Sequence, residues 1–245
     1  MEELRHELKS PIQSIMAQAE LLATQTRDTQ LSSEQLQQSY TTIEAEVNEL
    51  ESRMASMSLI SVLDKLELQR APMHLKEVVT ECVARHQPVA TQNSIVLTVQ
   101  DLDDQSPWSL VYIDPKRFAL AVDNLVSNAI KYSCPGTAAR ILIGETSGSV
   151  ILRVTNVGAR IPRKKYHLIF EKFERLTEQE SEFPWRPGTG IGLAIVRRMV
   201  LLHEGRVSVE SVEAEPHLWP PAHRGRTPYE TTFTVELPRY THKEG

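Results

Sequence analysis

Three short stretches of this chain hold side chains whose types and spacing suit phosphate chemistry. The first is RHELKSP, residues 5–11. On a helix, His6 falls about 160° from the centre of the neighbouring apolar stripe, so it faces solvent. Ser10 and Gln13 share its face at i+4 and i+7. Glu7 sits one step round, close enough to orient the ring or take its proton. Pro11 removes a backbone hydrogen bond and kinks the helix beside the histidine. By itself, an exposed histidine next to a glutamate is usually just an ordinary solvated surface.

The second stretch is RFALAVDNLVSNAIKYS, residues 117–133. Its apolar face is Phe118, Val122, Leu125 and Ala129. Asn124, Asn128 and Lys131 lie on another face at i, i+4 and i+7. Carboxamide oxygens are hard ligands that suit Mg²⁺, and a lysine one turn further suits phosphate. Asparagine is a mediocre helix former, so two on one face invite a reason beyond solvation. The third stretch, RPGTGIGLAIVRRMVLLHEG at 186–205, sets Gly188, Gly190 and Gly192 at the opening of an apolar helix that Gly205 is expected to cap. Bare N–H groups at a helix start cradle phosphate, and glycine permits the close approach. A dinucleotide-binding turn has similar text but follows a strand, whereas this one follows the polar stretch LTEQESEFPWRP.

These groups need elements to hold them. Apolar residues at Leu8, Ile12, Ile15, Ala19 and Leu22 alternate in steps of four and three. The pattern breaks at 24–33 and resumes at Leu36, Tyr40, Ile43, Val47, Leu50, Met54 and Met57. Two helices with heptad seams predict an antiparallel hairpin over 1–70, and narrow stripes are best buried by pairing two hairpins into a four-helix bundle, so a homodimer is expected. Pro72 ends the helical region. Over 71–245, strand-like runs at 94–101, 141–146, 150–157, 206–211 and 232–237 alternate with helical stretches near 76–90, 116–132 and 191–203. That mixture predicts an α+β sandwich with helices on one face. The segment 213–230, rich in proline and charge, reads as a surface loop.

Composition narrows the partners. The chain has 245 residues, 40 % hydrophobic and 24 % charged, with a net charge of −5, enough for a real core and without a basic footprint for nucleic acid. No apolar run approaches the roughly 20 residues that span a bilayer. The two cysteines, Cys82 and Cys134, read as free thiols of a reducing cytosol. A cytoplasmic protein, or the cytosolic core of a larger sensor, is expected.

With the motifs in this order, the sequence resembles a sensor histidine kinase of two-component signalling, its dimerisation and phosphotransfer hairpin followed by a GHKL (Bergerat) ATPase domain. HELKSP resembles the H-box, DNLVSNAIKYS the N-box, IFEKFERL (169–176) the F-box and GTGIGLAIV (188–196) the second glycine box. The resemblance implies ATP and Mg²⁺ as cofactors, a response-regulator receiver domain as partner, His6 as phosphoacceptor and Glu7 as its base. It implies that Asn128, supported by Asn124, holds the metal. Lys131 would meet phosphate, Tyr132 would lie near the nucleotide, and Arg175, after Phe170 and Phe173, would face the γ-phosphate. Residues 176–187 would form a lid, and Gly188, Thr189, Gly190, Gly192 and Leu193 would line the phosphate end.

The first glycine box departs from the family pattern. In TNVGARIP (155–162), Asn156 replaces the aspartate that accepts a hydrogen bond from adenine, and Arg160 replaces the second glycine. Asn156, Gly158 and Ile161 are still expected at the nucleotide. Loss of charge assistance costs on the order of 1 kcal/mol. Arg160 would either obstruct the pocket or swing away from it. Ser10 stands where kinases that also act as phosphatases carry Thr or Asn, and Glu230 replaces a glycine before the last strand. The leading expectation is therefore an ATP-dependent protein-histidine kinase. The alternative is a pseudokinase, a dimeric adaptor with weakened or absent nucleotide binding.

Overall fold

The computed structural model describes residues 67–101, 109–176, 190–218 and 227–241, with helical positions at 12, 13, 15–17, 19, 20, 37–43 and 47. The chain divides into two compact units, Met1–Leu66 and Glu67–Gly245. In the first unit the described positions are helical, as the heptads predict. Ile12, Tyr40 and Val47, all on the heptad seam, are exposed. His6, Glu7, Ser10 and Pro11 lie outside the described residues, as does the pairing of the two helices.

The second unit starts earlier than the expected boundary after residue 70, because its opening residues are bonded into it. The Gln69 N–H donates to Asp114 Oδ2 at 3.0 Å, and Arg70 donates to the Leu202 carbonyl at 2.5 Å. The elements then run β1 (Ala71–Met73), α1 (Leu75–Gln92), β2 (Val96–Asp101), β3 (Val111–Ile113), α2 (Pro115–Tyr132), β4 (Ala138–Glu145), β5 (Ser149–Gly158), α3 (Gly192–Leu202), β6 (Arg206–Glu213) and β7 (Tyr229–Pro238). Five strands form one mixed sheet in the order β2-β4-β5-β7-β6, with β2 and β4 parallel and the other pairs antiparallel. β1 and β3 form a separate antiparallel ribbon. The sequence reading misses this ribbon: its three-residue strands are too short to show a period, and Pro72, expected only to stop a helix, sits within β1 opposite Tyr112.

Alternation along the strands decides which face is covered. Ile141, Leu152, Val154, Phe233 and Val235 are 6 % exposed or less and meet the helical layer. α2 supplies the opposing stripe of Phe118, Ala121, Val122, Leu125, Val126, Ala129 and Ile130, all buried. Its start is set by Asp114, whose Oδ1 accepts from the Arg117 N–H at 3.1 Å, and by Pro115 at the first helical position.

Two expectations are corrected here. Gly205 is not the left-handed cap of α3. That conformation belongs to Glu204 (φ 61°), and the bonds Gly205 N–H to Val200 O and Glu204 N–H to Leu201 O complete a Schellman turn. Gly205 is required for a different reason, since a Cβ there would stand 2.5 Å from the Glu236 carbonyl oxygen. The segment 213–230 is also more regular than a loop: Glu213 belongs to β6, Pro216–Leu218 form a 3₁₀ turn, and Tyr229 and Glu230 open β7.

Candidate nucleotide-binding site

α2 and α3 pack side by side, and at one end of the pair the polar side chains converge. Asn124 is half-buried on α2. Its Nδ2 donates to the Leu120 carbonyl at 2.7 Å, which turns Oδ1 toward the first residue of α3. A Cβ on Gly192 would lie 2.7 Å from that oxygen. Gly192 therefore lets the amide of α2 press against the N-terminus of α3, where unpaired backbone N–H groups and the helix dipole favour an anion.

One turn further along α2, Asn128 and Lys131 are half-buried and Tyr132 is exposed. The Lys131 ammonium lies 5.2 Å from the centre of the Tyr132 ring. The end of β5 crosses directly over this turn. Ser133 bridges to Gly158, the Cys134 N–H donates to the Val157 carbonyl at 2.8 Å, and a Cβ on Gly158 would stand 1.9 Å from the Tyr132 carbonyl oxygen. Only glycine fits this crossing. It brings Asn156, 4 % exposed, to the C-terminal end of α2. Among the described residues the Asn156 carboxamide has no hydrogen-bond partner, which leaves its oxygen and nitrogen available to a ligand or water.

The F-box meets the second glycine box through the backbone. Phe173 (φ 66°) and Gly190 (φ 67°) are both left-handed, the Phe173 N–H donates to the Gly190 carbonyl at 2.9 Å, and a Cβ on Gly190 would come within 2.8 Å of the Phe173 backbone. Phe173 thus fixes the approach to α3 by its backbone, a role that its position among ring-bearing residues does not advertise. Arg175 and Leu193 are half-buried nearby in sequence. Gly188 and Thr189 lie outside the described residues, together with 177–187 of the expected lid. The Ile161 N–H donates to Ser211 Oγ of β6 at 3.1 Å, and Ser211 stands in register with Thr231 and, across it, with Asn156.

Arg160 is exposed, and its guanidinium stacks 5.3 Å from the centre of the Tyr229 ring at the start of β7. Tyr229 takes its charge, so the obstruction on which the pseudokinase reading depends finds no support.

The opposite end of the α2–α3 pair holds a group that sequence reasoning missed. His203, 2 % exposed, donates from Nδ1 to the Met199 carbonyl at 2.7 Å and accepts the Asp114 N–H at Nε2, 3.0 Å away. Both ring nitrogens are used by a neutral imidazole, and burial pushes its pKa below the ordinary histidine value. Phe118 meets the ring edge-on. Asp-Pro opening a helix, and a histidine at the end of another, were the available signals. Elsewhere, both cysteines are buried and neither forms a disulfide; burial, reinforced by Asp123, raises the Cys82 thiol to about 11.

Comparison with known proteins places this geometry. The family described as "Histidine kinase-, DNA gyrase B-, and HSP90-like ATPase" matches residues 113–241. The signal transduction histidine-protein kinase/phosphatase MprB of Mycolicibacterium paratuberculosis is 29 % identical over 95 % of this chain, which spans 41 % of that relative's length. The solved structure of a mycobacterial sensor histidine kinase MprB, 30 % identical, superposes with a TM-score of 0.53, covering 69 % of this chain and 97 % of that one. A complex of the histidine kinase ThkA with the response regulator protein TrrA shares the fold at 20 % identity and a TM-score of 0.70, covering 99 % of this chain and 61 % of that one.

Proposed function

Because the chain belongs to the histidine kinase-, DNA gyrase B- and HSP90-like ATPase family, we propose that it is a protein-histidine kinase of a two-component system. It phosphorylates its own His6 at the expense of ATP and passes the phosphoryl group to an aspartate of a response-regulator receiver domain. The observation that carries this reading is the crossing of Gly158 over Tyr132, which brings the buried Asn156 to the polar C-terminal end of α2.

The residues present fit ATP and Mg²⁺. Asn156 offers a buried carboxamide without a partner among the described residues. Gly190 and Gly192 let the Phe173 backbone and the Asn124 carboxamide pack against the start of α3, where a Cβ would collide with them. The donor set at the metal position is amide oxygen, hard and neutral, which suits Mg²⁺ that keeps waters and phosphate oxygens. The bound nucleotide and metal would supply the transferable group and its charge compensation. Asn128 would hold the metal, supported by Asn124 one turn earlier on α2. Lys131 and Arg175 neutralise phosphate charge, the α3 N–H groups orient it, and Phe173 holds Gly190 open. Tyr132, Gly158, Ile161 and Leu193 shape the surrounding cleft. Phosphoryl transfer asks little more of a protein than positioning and charge neutralisation. At the acceptor, Glu7 would serve as the base that takes the proton from His6, so that the imidazole attacks in its neutral form.

The exposed seam residues Ile12, Tyr40 and Val47 support a homodimer through the N-terminal helices, which analytical ultracentrifugation checks. No described helix is long and apolar enough to cross a membrane. The decisive experiment incubates the chain with γ-labelled ATP and Mg²⁺. Acid-labile, base-stable label is expected on the wild type and absent from His6→Gln; label retained by the variant overturns the assignment.

A further inference from the structure

Two of the residues that depart from the family pattern, Arg160 and Glu230, are not used by the nucleotide cleft. Arg160 stacks on Tyr229, and the next residue, Glu230, faces the side of the sheet that no described helix covers. There Glu230 Oε2 holds Arg140 Nη2 at 2.5 Å. Around this pair the open face forms a cup of about 630 Å³, within the range of small-molecule sites. We propose that this cup is a second binding site, for a phosphate ester of a hydroxylated small molecule, with Arg140, Arg153 and Arg163 as the anion-binding groups.

Strand register builds the cup. Arg140 on β4 stands opposite Thr155 on β5, which stands opposite Thr232 on β7. One pleat along, Arg153 on β5 stands opposite Thr234 on β7. Two guanidiniums on adjacent strands therefore lie diagonally, close enough for both to reach one bound group. Arg163, from the 3₁₀ turn Arg163–Lys165, forms the third wall. That wall is fixed by Tyr166, whose hydroxyl accepts from the Ser211 N–H at 2.7 Å and donates to the Ser211 carbonyl at 3.1 Å, closing the free edge of β6.

Charge selects the ligand class. Arg140 is neutralised by Glu230, but neither Arg153 nor Arg163 has a hydrogen-bonding or ionic partner among the described residues. Arg153 sits on the central strand of the sheet, where an unpaired guanidinium contributes nothing to packing that an apolar or threonine side chain would not supply. A chain of net charge −5 has carboxylates available to pair it, yet none of those among the described residues does. The planar fork of arginine matches the paired oxygens of a phosphate. The floor adds hydroxyls: Thr155 Oγ1 and Thr232 Oγ1 lie 2.9 Å apart, and either can donate. Glu210 on β6 also lines the cup and provides an acceptor that a bare phosphate would not use, whereas a ligand carrying hydroxyls would.

The test titrates ribose 5-phosphate into the full chain and follows the arginine Nε–Hε signals together with the amide signals of Gly190–Leu193 by NMR. The expected result is movement of the Arg153 and Arg163 signals, saturable in the micromolar to millimolar range, with none from free ribose. The double variant R153Q/R163Q is expected to bind at least tenfold more weakly with an unchanged melting temperature, since both side chains are exposed. Movement confined to Gly190–Leu193 would place the phosphate at the start of α3 and overturn the proposal. Equal binding by the double variant, equal competition by citrate, or tighter binding of a glutamate-rich peptide or of anionic vesicles would each overturn it too.

Discussion

The two ends of the α2–α3 pair are built on opposite principles. At one end, Asp114, Phe118 and His203 form a closed brace. Every polar atom there has a partner: His203 uses both ring nitrogens, and Asp114 accepts from Gln69 and Arg117. At the other end, Asn124, Asn128 and Lys131 are half-buried, Asn156 has no partner among the described residues, and the packing depends on glycines. The brace gains stability from satisfied burial. The site end leaves the Asn156 carboxamide uncommitted, which a ligand can exploit and folding cannot.

The comparison predicts that stability lives at the braced end. Phe118 is fully buried and touches His203 edge-on, so Phe118→Ala should cost about 3–5 kcal/mol in urea unfolding. A loss under 1 kcal/mol would show that the brace is not where the core is tied. Gly158→Ala tests the other end. The new methyl meets a backbone carbonyl at 1.9 Å, and either β5 or the last turn of α2 must move. The expected cost is about 3 kcal/mol, the upper end for overpacking, together with loss of binding to a non-hydrolysable ATP analogue by calorimetry. Wild-type affinity in this variant would separate Asn156 from the cleft.

The brace also carries a pH signature. The His203 pKa is lowered in the fold by burial, with Arg70, Asp114 and Glu204 as the charged groups around it. Above the ordinary histidine value near 6.5 both folded and unfolded chains hold the ring neutral, and its contribution is fully present. As pH falls through that value the unfolded chain takes up a proton that the folded chain refuses. Stability then declines, by at most about 1.4 kcal/mol per pH unit from this group. His203→Leu should lower stability at pH 7.5 by about 2 kcal/mol, by leaving the Asp114 N–H unpaired, and should flatten the difference between pH 7.5 and pH 5.5. An unaltered slope would mean that other histidines set it.

What the sequence made legible follows the same division. The helices and central strands were readable because burial on one face imposes a period, and the N-box and glycine boxes because polar residues interrupt that period at fixed intervals. The brace was not readable. A hydrogen bond from Asp114 to His203 joins positions 89 residues apart, and no local pattern encodes it. Nor was the backbone role of Phe173, since a left-handed aromatic residue leaves no trace in spacing. The cup on the open face was half-visible: Arg153 shares a face with Ile151 and Thr155 along β5 in the strand period, but its neighbours on β4 and β7 depend on register.

The smallest expected effect discriminates most finely between strain and charge within the brace. Glu204 holds a left-handed conformation, which costs an L-residue roughly 1–2 kcal/mol relative to glycine. Against that, its carboxylate pairs with Arg70 at 2.5 Å, but the Glu204 side chain is 71 % exposed, and exposed pairs contribute about 0–1 kcal/mol. Arg70 keeps its bond to the Leu202 carbonyl whatever stands at 204. Strain should therefore outweigh charge, and Glu204→Gly should raise stability by about 0.5 kcal/mol, with Glu204→Asn falling between the two because asparagine tolerates the left-handed region. If both variants are instead destabilised, and equally so in low salt, the ion pair outweighs the strain. Added salt then separates the cases: screening erases a loss caused by charge and leaves a gain caused by relieved strain untouched.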